Sequence, residues 1–433
     1  MAAPAGSAAT CTQAQKSARV AAVSAYRKRM APERRAYFAK VEAATRRAAF
    51  VKRQRAKLRK LQTAAACTVI ALPPSSDVSC DLELAPNELG LRNRPFADTP
   101  MRSFGPLDRD GVIPARGRAE AVMVFVDFPN APASEDAVAL ASMYTAYLPW
   151  FEEASHGRFS VGMTVVPRWF RMPEAGTAYG NLQVSPNADR YMADVVAAVG
   201  GAVDLGRYHS VWVVPSRDAS RFLGVNYVRY PGRGVAIAGG EVRFGVLMDA
   251  LRRGQPFEST HALHRFLASL GGVDLGEASD KPFGRWDPGY AGDRGGSTVH
   301  PIAWHKWMFR WIDPSQITCL REPGQLEETV TANARTGGKK MVVVPTSPST
   351  AYVLEVRDKL GYDRGTCRGG VLLYTIDSQI PSGVGPIEGK SSGPACAPDV
   401  TPFGAGQTYE DAAVKVDVLS TDGSAYRVRV TKK

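Results

Sequence analysis

The chain has 433 residues, 44% of them hydrophobic, and a formal net charge of +12 at pH 7. This length and composition predict a globular protein with a large core, divided into two or three units. No run of 18 or more apolar residues occurs, so the sequence predicts no membrane-spanning helix.

The positive charge is concentrated at the start of the chain. Between Cys11 and Cys67 there are sixteen Lys or Arg and two Glu, a net charge of +14, so the rest of the chain carries −2. Ala, Lys, Arg and Gln dominate this segment, which predicts helices over about 13–30 and 33–65, separated by Pro32. We therefore expect residues 1–67 to form a basic helical arm or hairpin.

Two interpretations of this arm stay open. Either it binds an anionic cell-envelope polymer or lipid headgroups, or its charges only keep a solvated helix in solution. Nucleic acid is the least favoured partner, because few aromatic residues are available there to stack on bases. The basic residues predicted to contact an anionic partner all lie in the second helix: Arg46, Arg47, Lys52, Arg53, Arg55, Lys57, Arg59 and Lys60.

After a Pro/Ser/Asp-rich linker at 68–118, the pattern predicts a domain over 119–380. Its strands and helices alternate: strands near 120–127, 159–166 and 210–215, and helices near 137–154 and 187–199. The predicted layout is a mixed β-sheet covered by helices, with a further helix at 256–269 packed beneath it. Residues 381–433 are predicted to form a loop and a β-hairpin, with strands at 413–419 and 426–430.

The helix at 256–269 carries part of a zinc-protease motif, His-Glu-x-x-His-x-x-Gly-x-x-Asp. This motif needs two imidazoles at i and i+4 on one helix face, a Glu that takes the proton of zinc-bound water, and a third ligand beyond a Gly turn. His264, Gly271 and Asp274 match it without a gap. Arg265 stands at the position of the Glu, and Ala268 at that of the second His.

Further segments follow in a fixed order along the chain. They are Ala-Val-Met-Val-Phe-Val-Asp-Phe-Pro (121–129), Tyr-Leu-Pro-Trp-Phe-Glu-Glu-Ala-Ser-His-Gly-Arg-Phe-Ser-Val (147–161), Arg-Trp-Asp-Pro-Gly-Tyr (285–290), Pro-Ile-Ala-Trp-His-Lys-Trp-Met-Phe-Arg-Trp-Ile-Asp-Pro (301–314) and the strand-like runs 351–357 and 370–377. With the zinc-type helix, they resemble the catalytic domain of the immune inhibitor A family of secreted zinc metalloproteases, over about 115–380. The resemblance implies a metzincin-like α+β fold and a secreted, bacterial protein.

The departures from this family affect one site. Besides Arg265 and Ala268, the resemblance implies a Met where this chain has Gly289, and a Gly where it has Arg310. His264 and Asp274 alone fall short of the three protein ligands that catalytic zinc requires, and no general base remains. We expect a catalytically inactive homologue, a pseudoprotease without a cofactor that acts as a binding or scaffold protein.

Two alternatives remain. In the first, a zinc site is rebuilt from the i,i+3 pair His261 and His264 with Asp274 or a neighbour, and the protein is an active endopeptidase. The simpler interpretation is that the two histidines are polar residues on a solvated helix face. The second alternative is an envelope-binding structural protein that acts through its basic helices. Other chemistries lack their motifs, since neither a Gly-x-Ser-x-Gly elbow nor a phosphate-binding loop is present.

Cysteine usage addresses the compartment. Six cysteines, none in a Cys-x-x-Cys pair, predict disulfides in an oxidising environment rather than a metal cluster. Cys367 with Cys396 is the first expected pair, because both flank the last strand of the domain and its Gly/Pro/Ser-rich loop. Cys11 with Cys67 and Cys67 with Cys80 stay open as alternatives. The first ten residues lack the features of a signal peptide and look like a mature N-terminus.

Overall fold

The computed structural model describes the chain mainly from residue 112 onward. The described residues are 80–82, 112–180, 182, 185–221, 226–229, 235–237, 240–242, 244–248, 263, 266–273, 275, 283–289, 298–380 and 385–433. They belong to one compact unit, Asp77–Lys433. The basic arm predicted over 1–67 lies outside the described residues.

The described chain is a mixed α+β protein with several sheets and few helices. The helices are α1 (Ala137–Thr145), α2 (Pro149–Ala154), α3 (Gly176–Tyr179), α4 (Ser185–Val199) and α5 (Ala303–Met308). The strands are β1 (Gly117–Asp127), β2 (Phe159–Arg171), β3 (Ser210–Pro215), β4 (Asn226–Arg229), β5 (Val235–Ile237), β6 (Gly240–Val242), β7 (Phe244–Leu247), β8 (Ile317–Cys319), β9 (Gly324–Thr331), β10 (Met341–Pro345), β11 (Thr350–Arg357), β12 (Gly370–Asp377), β13 (Ile387–Lys390), β14 (Thr408–Glu410), β15 (Val414–Thr421) and β16 (Ala425–Lys432).

The first sheet has the order β2-β1-β3-β7-β4. Its pairs are parallel except β4 with β7, which is antiparallel, so the predicted mixed sheet is confirmed. Residues 121–126 of β1 form an unbroken apolar run, and the side chains on both faces of this run are buried. Phe125 faces the core that holds Trp212, whereas Val124 faces the core that holds Met192 of α4. The strands predicted near 120–127, 159–166 and 210–215 are confirmed, and β2 continues to Arg171.

The helix predicted over 137–154 as one element is wrong in its continuity. It is two helices, because Pro149 lacks the N–H that a continuous helix needs and instead opens α2 at its first position. The carboxylate of Asp136 caps α1 by accepting hydrogen bonds from the backbone N–H of Val138 (2.6 Å) and Ala139 (2.9 Å). The helix predicted near 187–199 is confirmed as α4.

Two further sheets form the second half of the described chain. Their orders are β13-β12-β11-β10-β8 and β14-β15-β16-β9, and they share one apolar core. The strands expected at 351–357 and 370–377 are confirmed as β11 and β12, and the terminal hairpin as β15 with β16. Both sheets combine strands from before residue 380 with strands from after it.

Two disulfides cross-link the described chain. Cys367 pairs with Cys396, as predicted. Cys80 pairs with Cys319, so the alternative of Cys67 with Cys80 is wrong. Two disulfides are compatible with an oxidising, extracellular compartment. Within the described ranges, every helix is too short or too polar to span a bilayer.

Candidate functional site

The zinc-type helix, where it is described, packs beneath the first sheet. Residues 263 and 266–269 are helical. The ring centroid of Phe266 lies 5.6 Å from that of Trp212 in β3 and 5.3 Å from that of Phe151 in α2. The leucine side chains of this turn are buried in the same core. Apolar residues at helical spacing therefore hold this turn against the sheet.

Gly271 ends the helix, with a φ of 101°. The N–H of Gly272 donates to the carbonyl of Leu267 (2.8 Å), and the N–H of Gly271 donates to the carbonyl of Ala268 (3.1 Å). These two bonds form a Schellman motif, whose left-handed residue is usually glycine. A Cβ at Gly272 would lie 2.9 Å from the Leu267 carbonyl oxygen. The turn that the zinc motif assigns to this glycine is present.

Ala268, which the sequence aligns with the second His of the zinc motif, is helical and half-buried. His261, His264, Arg265 and Asp274 lie outside the described residues, so their roles stay predictions. Among the residues that are described, no cluster of three or more His, Cys, Asp or Glu side chains is arranged to hold a metal.

A buried carboxylate, Asp287, organises the turn that follows the zinc-type helix. It accepts hydrogen bonds from the backbone N–H of Gly289 (2.6 Å) and Ile302 (2.7 Å) and pairs with Nδ1 of His305 (2.9 Å). Nε2 of His305 accepts a hydrogen bond from the N–H of Val273 (3.1 Å). This pattern puts the ring proton on Nδ1. The Asp287–His305 pair thereby holds the chain just beyond the helix end.

Position 289, where the resemblance implies a Met, has no room for a side chain. A Cβ at Gly289 would lie 2.6 Å from the carbonyl oxygen of Val273 and 2.8 Å from Oδ1 of Asp287. A side chain at position 289 would therefore collide with the backbone of Val273.

α5 also ends in a Schellman motif. The N–H of Trp311 donates to the carbonyl of Lys306 (2.7 Å), and the N–H of Arg310 donates to the carbonyl of Trp307 (2.8 Å). Arg310 has a φ of 59°. Glycine adopts this left-handed conformation without strain, and the resemblance implies a glycine here. Arg310 therefore adopts a backbone conformation in which glycine is favoured.

A buried polar cluster between α2 and α5 was missed by the sequence reasoning. Lys306 is fully buried, and its Nζ lies 3.2 Å from Nε2 of His156, 3.1 Å from Nδ1 of His300 and 2.8 Å from the carbonyl oxygen of Asn333. Nε2 of His300 lies 3.2 Å from Oε1 of Glu153. Nothing in the local sequence around His156 indicates that it meets a buried lysine.

A network of ion pairs centred on β11 adjoins this polar cluster. Arg357 is fully buried and donates to both carboxylate oxygens of Asp363 (2.8 and 2.6 Å) and to Glu355 (3.2 Å). Glu355 also accepts from the N–H of Ala303 at the start of α5 (2.6 Å) and from the hydroxyl of Tyr374 (2.9 Å). Burial raises the pKa of the Glu355 carboxyl. Burial lowers the pKa of Arg357, but Asp363 and Glu355 outweigh it and raise the net value.

A sequence signal for this network does exist. Glu355 and Arg357 are opposite charges at i and i+2 of a largely apolar strand, so they point to the same face of the sheet.

The structure does not test the basic residues that the sequence predicts to bind an anionic partner. Arg46, Arg47, Lys52, Arg53, Arg55, Lys57, Arg59 and Lys60 lie outside the described part of the chain.

Comparison with known proteins assigns no family to this chain: no family model matches it, and no curated protein matches it.

Proposed function

We propose that this protein is a secreted pseudoprotease: a metzincin-like fold, similar to the immune inhibitor A metalloproteases, that has lost peptidase chemistry and acts by binding a partner. The observation that carries the proposal is Ala268, whose methyl group stands where the second zinc-binding imidazole would be. Arg265 removes the general base from the same helix. A site with neither group cannot position and deprotonate a zinc-bound water.

The scaffold around this helix supports the proposal. Gly271 turns the chain at the helix end, and the Asp287–His305 pair holds the segment beyond it. Arg310 keeps a left-handed conformation where the resembling family carries glycine. These contacts support the described turns around the helix, whereas Arg265 and Ala268 lack the groups that zinc-peptidase chemistry needs, as expected for a fold that serves binding.

Zinc stoichiometry tests the proposal most directly. We expect the protein, purified under oxidising conditions and dialysed against zinc, to hold well under 0.1 equivalent of zinc per chain, measured by mass spectrometry of the metal. The double variant Arg265→Glu/Ala268→His recreates the full motif with His264 and Asp274. If the scaffold is that of a metalloprotease, this variant should bind close to one equivalent, because the missing donor is restored.

The matched control adds His264→Ala to the double variant and should abolish the gained zinc. A double variant that folds but gains no zinc would contradict the metzincin-like scaffold. About one equivalent in the unaltered protein, lost in His264→Ala, would instead favour the alternative of an active endopeptidase with ligands rebuilt from His261, His264 and Asp274 or a neighbour. A peptide-library cleavage assay would then identify its substrate.

The net charge of +14 between Cys11 and Cys67 favours a second binding function. In this alternative the basic helices hold the protein on an anionic envelope polymer. We expect the unaltered protein to sediment with isolated cell envelopes in a salt-dependent way. This sedimentation should be abolished when Gln replaces Arg46, Arg47, Lys52, Arg53, Arg55, Lys57, Arg59 and Lys60. Unchanged sedimentation of that variant would exclude the arm as the binding element.

A further inference from the structure

The polar cluster at Lys306 has the hydrogen-bond pattern of an ammonium held by neutral imidazoles. An ammonium carries three N–H donors and no acceptor. Nζ of Lys306 faces three acceptors: Nε2 of His156, Nδ1 of His300 and the carbonyl oxygen of Asn333. A ring nitrogen accepts only through its lone pair, so both rings must be neutral for this arrangement to exist.

The second nitrogen of His300 fixes its tautomer. Its Nε2 lies 3.2 Å from Oε1 of Glu153, and that carboxylate oxygen also accepts from the N–H of Tyr362 (2.9 Å). His300 therefore carries its proton on Nε2, and His156, which accepts at Nε2, carries its proton on Nδ1. The chain Glu153–His300–Lys306–His156 runs from an exposed carboxylate through a fully buried lysine to a half-exposed ring.

The backbone of His156 is held in a strained conformation to complete the cluster. α2 ends in a Schellman motif, in which the N–H of Gly157 donates to the carbonyl of Glu152 (2.8 Å). His156 takes the left-handed position with a φ of 56°, where glycine is normal. Such strain persists where the surrounding structure requires a particular side chain, here the ring that receives the Lys306 ammonium.

Lys306 contacts both rings and further cations lie nearby, so a second proton on either ring is opposed. Burial lowers the pKa of His156 to about 3, with further contributions from Lys306, Lys340 and Arg158. Burial also lowers the pKa of His300 well below its usual value, and the nearby charges of Lys306 and Arg357 lower it further. Lys306 itself is fully buried, which lowers its pKa. The charged and titratable groups that face the cluster from the packed elements are Glu153, Arg158, Lys340, Glu355, Arg357 and Asp363.

We propose that His156, Lys306 and His300 form an acid-sensitive latch that closes the end of α2 onto α5 and the segment 298–300. The closed latch holds a single proton on its three bases. Protonation of either imidazole destroys an acceptor and places a second cation about 3 Å from Lys306, so the latch opens when the histidines charge.

Opening would release contacts next to the zinc-type helix. Besides the latch, Nε1 of Trp150 in α2 donates to the carbonyls of Thr298 (2.7 Å) and Val299 (3.2 Å). Phe151 of the same helix contacts Phe266. The latch and the described turn of the zinc-type helix thus both contact α2, and acid would loosen the contacts of α2.

The expected pH response follows from the ordinary histidine pKa of the open state. In the open state each histidine has a pKa of about 6.5. Its protonation raises the equilibrium constant for opening of the latch about 25-fold when the pH falls from 7 to 5, and the two histidines together raise it about 600-fold. This window lies above the range in which model-compound carboxyls titrate.

Amide hydrogen exchange on the full-length protein measures the opening. After correction for intrinsic exchange, the amide of Gly157 should lose protection about 600-fold between pH 7 and pH 5. It should remain less protected than the amide of Val416 in β15, which reports global unfolding. Equal protection at Gly157 and Val416 would mean that only unfolding of the whole protein exposes the histidines, and would overturn the proposal.

Glutamine variants locate the response, because a Gln carbonyl accepts a hydrogen bond from Lys306 but does not titrate. His156→Gln and His300→Gln should each leave about a 25-fold response, and the double variant should leave almost none. The matched control is His209→Gln, since Nδ1 of His209 accepts from the N–H of Glu120 away from the latch. A double variant that keeps the full response, or a control that loses it, would contradict the latch.

A measurement on the unaltered protein remains informative if a variant fails to fold. Nitrogen-15 shifts at pH 7 should report His300 protonated on Nε2 alone and His156 on Nδ1 alone. An imidazolium at either position while Gly157 stays protected would overturn the proposal.

Discussion

At the scale of single residues, backbone conformation and available space decide what this chain tolerates. Arg310 and His156 are the two non-glycine residues with positive φ among those described. The conformation of His156 brings its ring onto Lys306, whereas Arg310 is exposed and its side chain makes no hydrogen bond or ion pair with the residues that the structure describes. The two positions therefore differ in what a glycine substitution would do.

Arg310→Gly should raise the free energy of unfolding by about 0.5–1 kcal/mol, because glycine adopts a left-handed φ without steric strain. Urea denaturation followed by tryptophan fluorescence measures the change. Arg310→Ala is the control, since it removes the same charge but keeps a Cβ; an equal gain in both variants would show that charge rather than backbone strain is responsible.

Gly289→Ala should lower the free energy of unfolding by about 2 kcal/mol or more, because the new Cβ would lie against the Val273 carbonyl. Gly201→Ala is the comparison, since a Cβ there has no neighbour within 4 Å. Similar stability of the two variants in urea would show that the turn at 289 has more room than its geometry indicates.

At the scale of elements, buried charges join segments that are far apart in the sequence. Glu355 on β11 binds the start of α5, and Arg357 on the same strand binds Asp363 and the carbonyl of His300 (2.9 Å). Two partners of opposite charge satisfy the guanidinium, so its removal leaves two carboxylates buried without a cation.

Arg357→Met should therefore lower the free energy of unfolding by about 3–5 kcal/mol, the usual cost of leaving one side of a buried ion pair uncompensated. Arg427→Met is the matched control, because Arg427 pairs with Glu327 on the exposed face of the last sheet and should cost under about 1 kcal/mol. Comparable losses in the two variants would contradict the structural role of the buried network.

At the scale of the whole molecule, the same histidines link stability to pH. The folded state holds the pKa of His156 at about 3, below its unfolded value of 6.5. The unfolded chain therefore binds more protons between these values, and stability is complete above pH 6.5 and falls as the pH decreases. The pKa of Asp411 is also lowered, to about 2, but its contribution is lost only below about pH 4.

Between pH 7 and pH 5 each of His156 and His300 should lower the free energy of unfolding by about 2 kcal/mol. Urea titrations at half-unit pH intervals measure this slope. The variant His156→Gln/His300→Gln should flatten the slope over that range while the loss below pH 4 remains. A curve that falls only below pH 4 in the unaltered protein would show that neither histidine is held neutral by the fold.

Much of the first sheet could be predicted from the sequence. Residues 121–126 of β1 and 211–215 of β3 are short apolar runs, a pattern typical of buried strands. The helix boundary at Pro149 was missed, although a proline at a helix start is a local signal. The Cys367–Cys396 pair was predictable from its flanking strand and loop, but the partner of Cys80, 239 residues away, was not.

The sequence by itself predicted that this helix lacks zinc-peptidase chemistry, because Arg265 and Ala268 differ from the zinc motif in side-chain type and the comparison needs no coordinates. It also determined the charge of the arm and the strands of the mixed sheet, which depend on local composition and periodicity. Only the tertiary structure decided that His156, His300 and Lys306 meet, since they come from segments up to 150 residues apart. The neutral state proposed for the two imidazoles would follow from shared burial and from repulsion by the Lys306 ammonium, which no local pattern encodes.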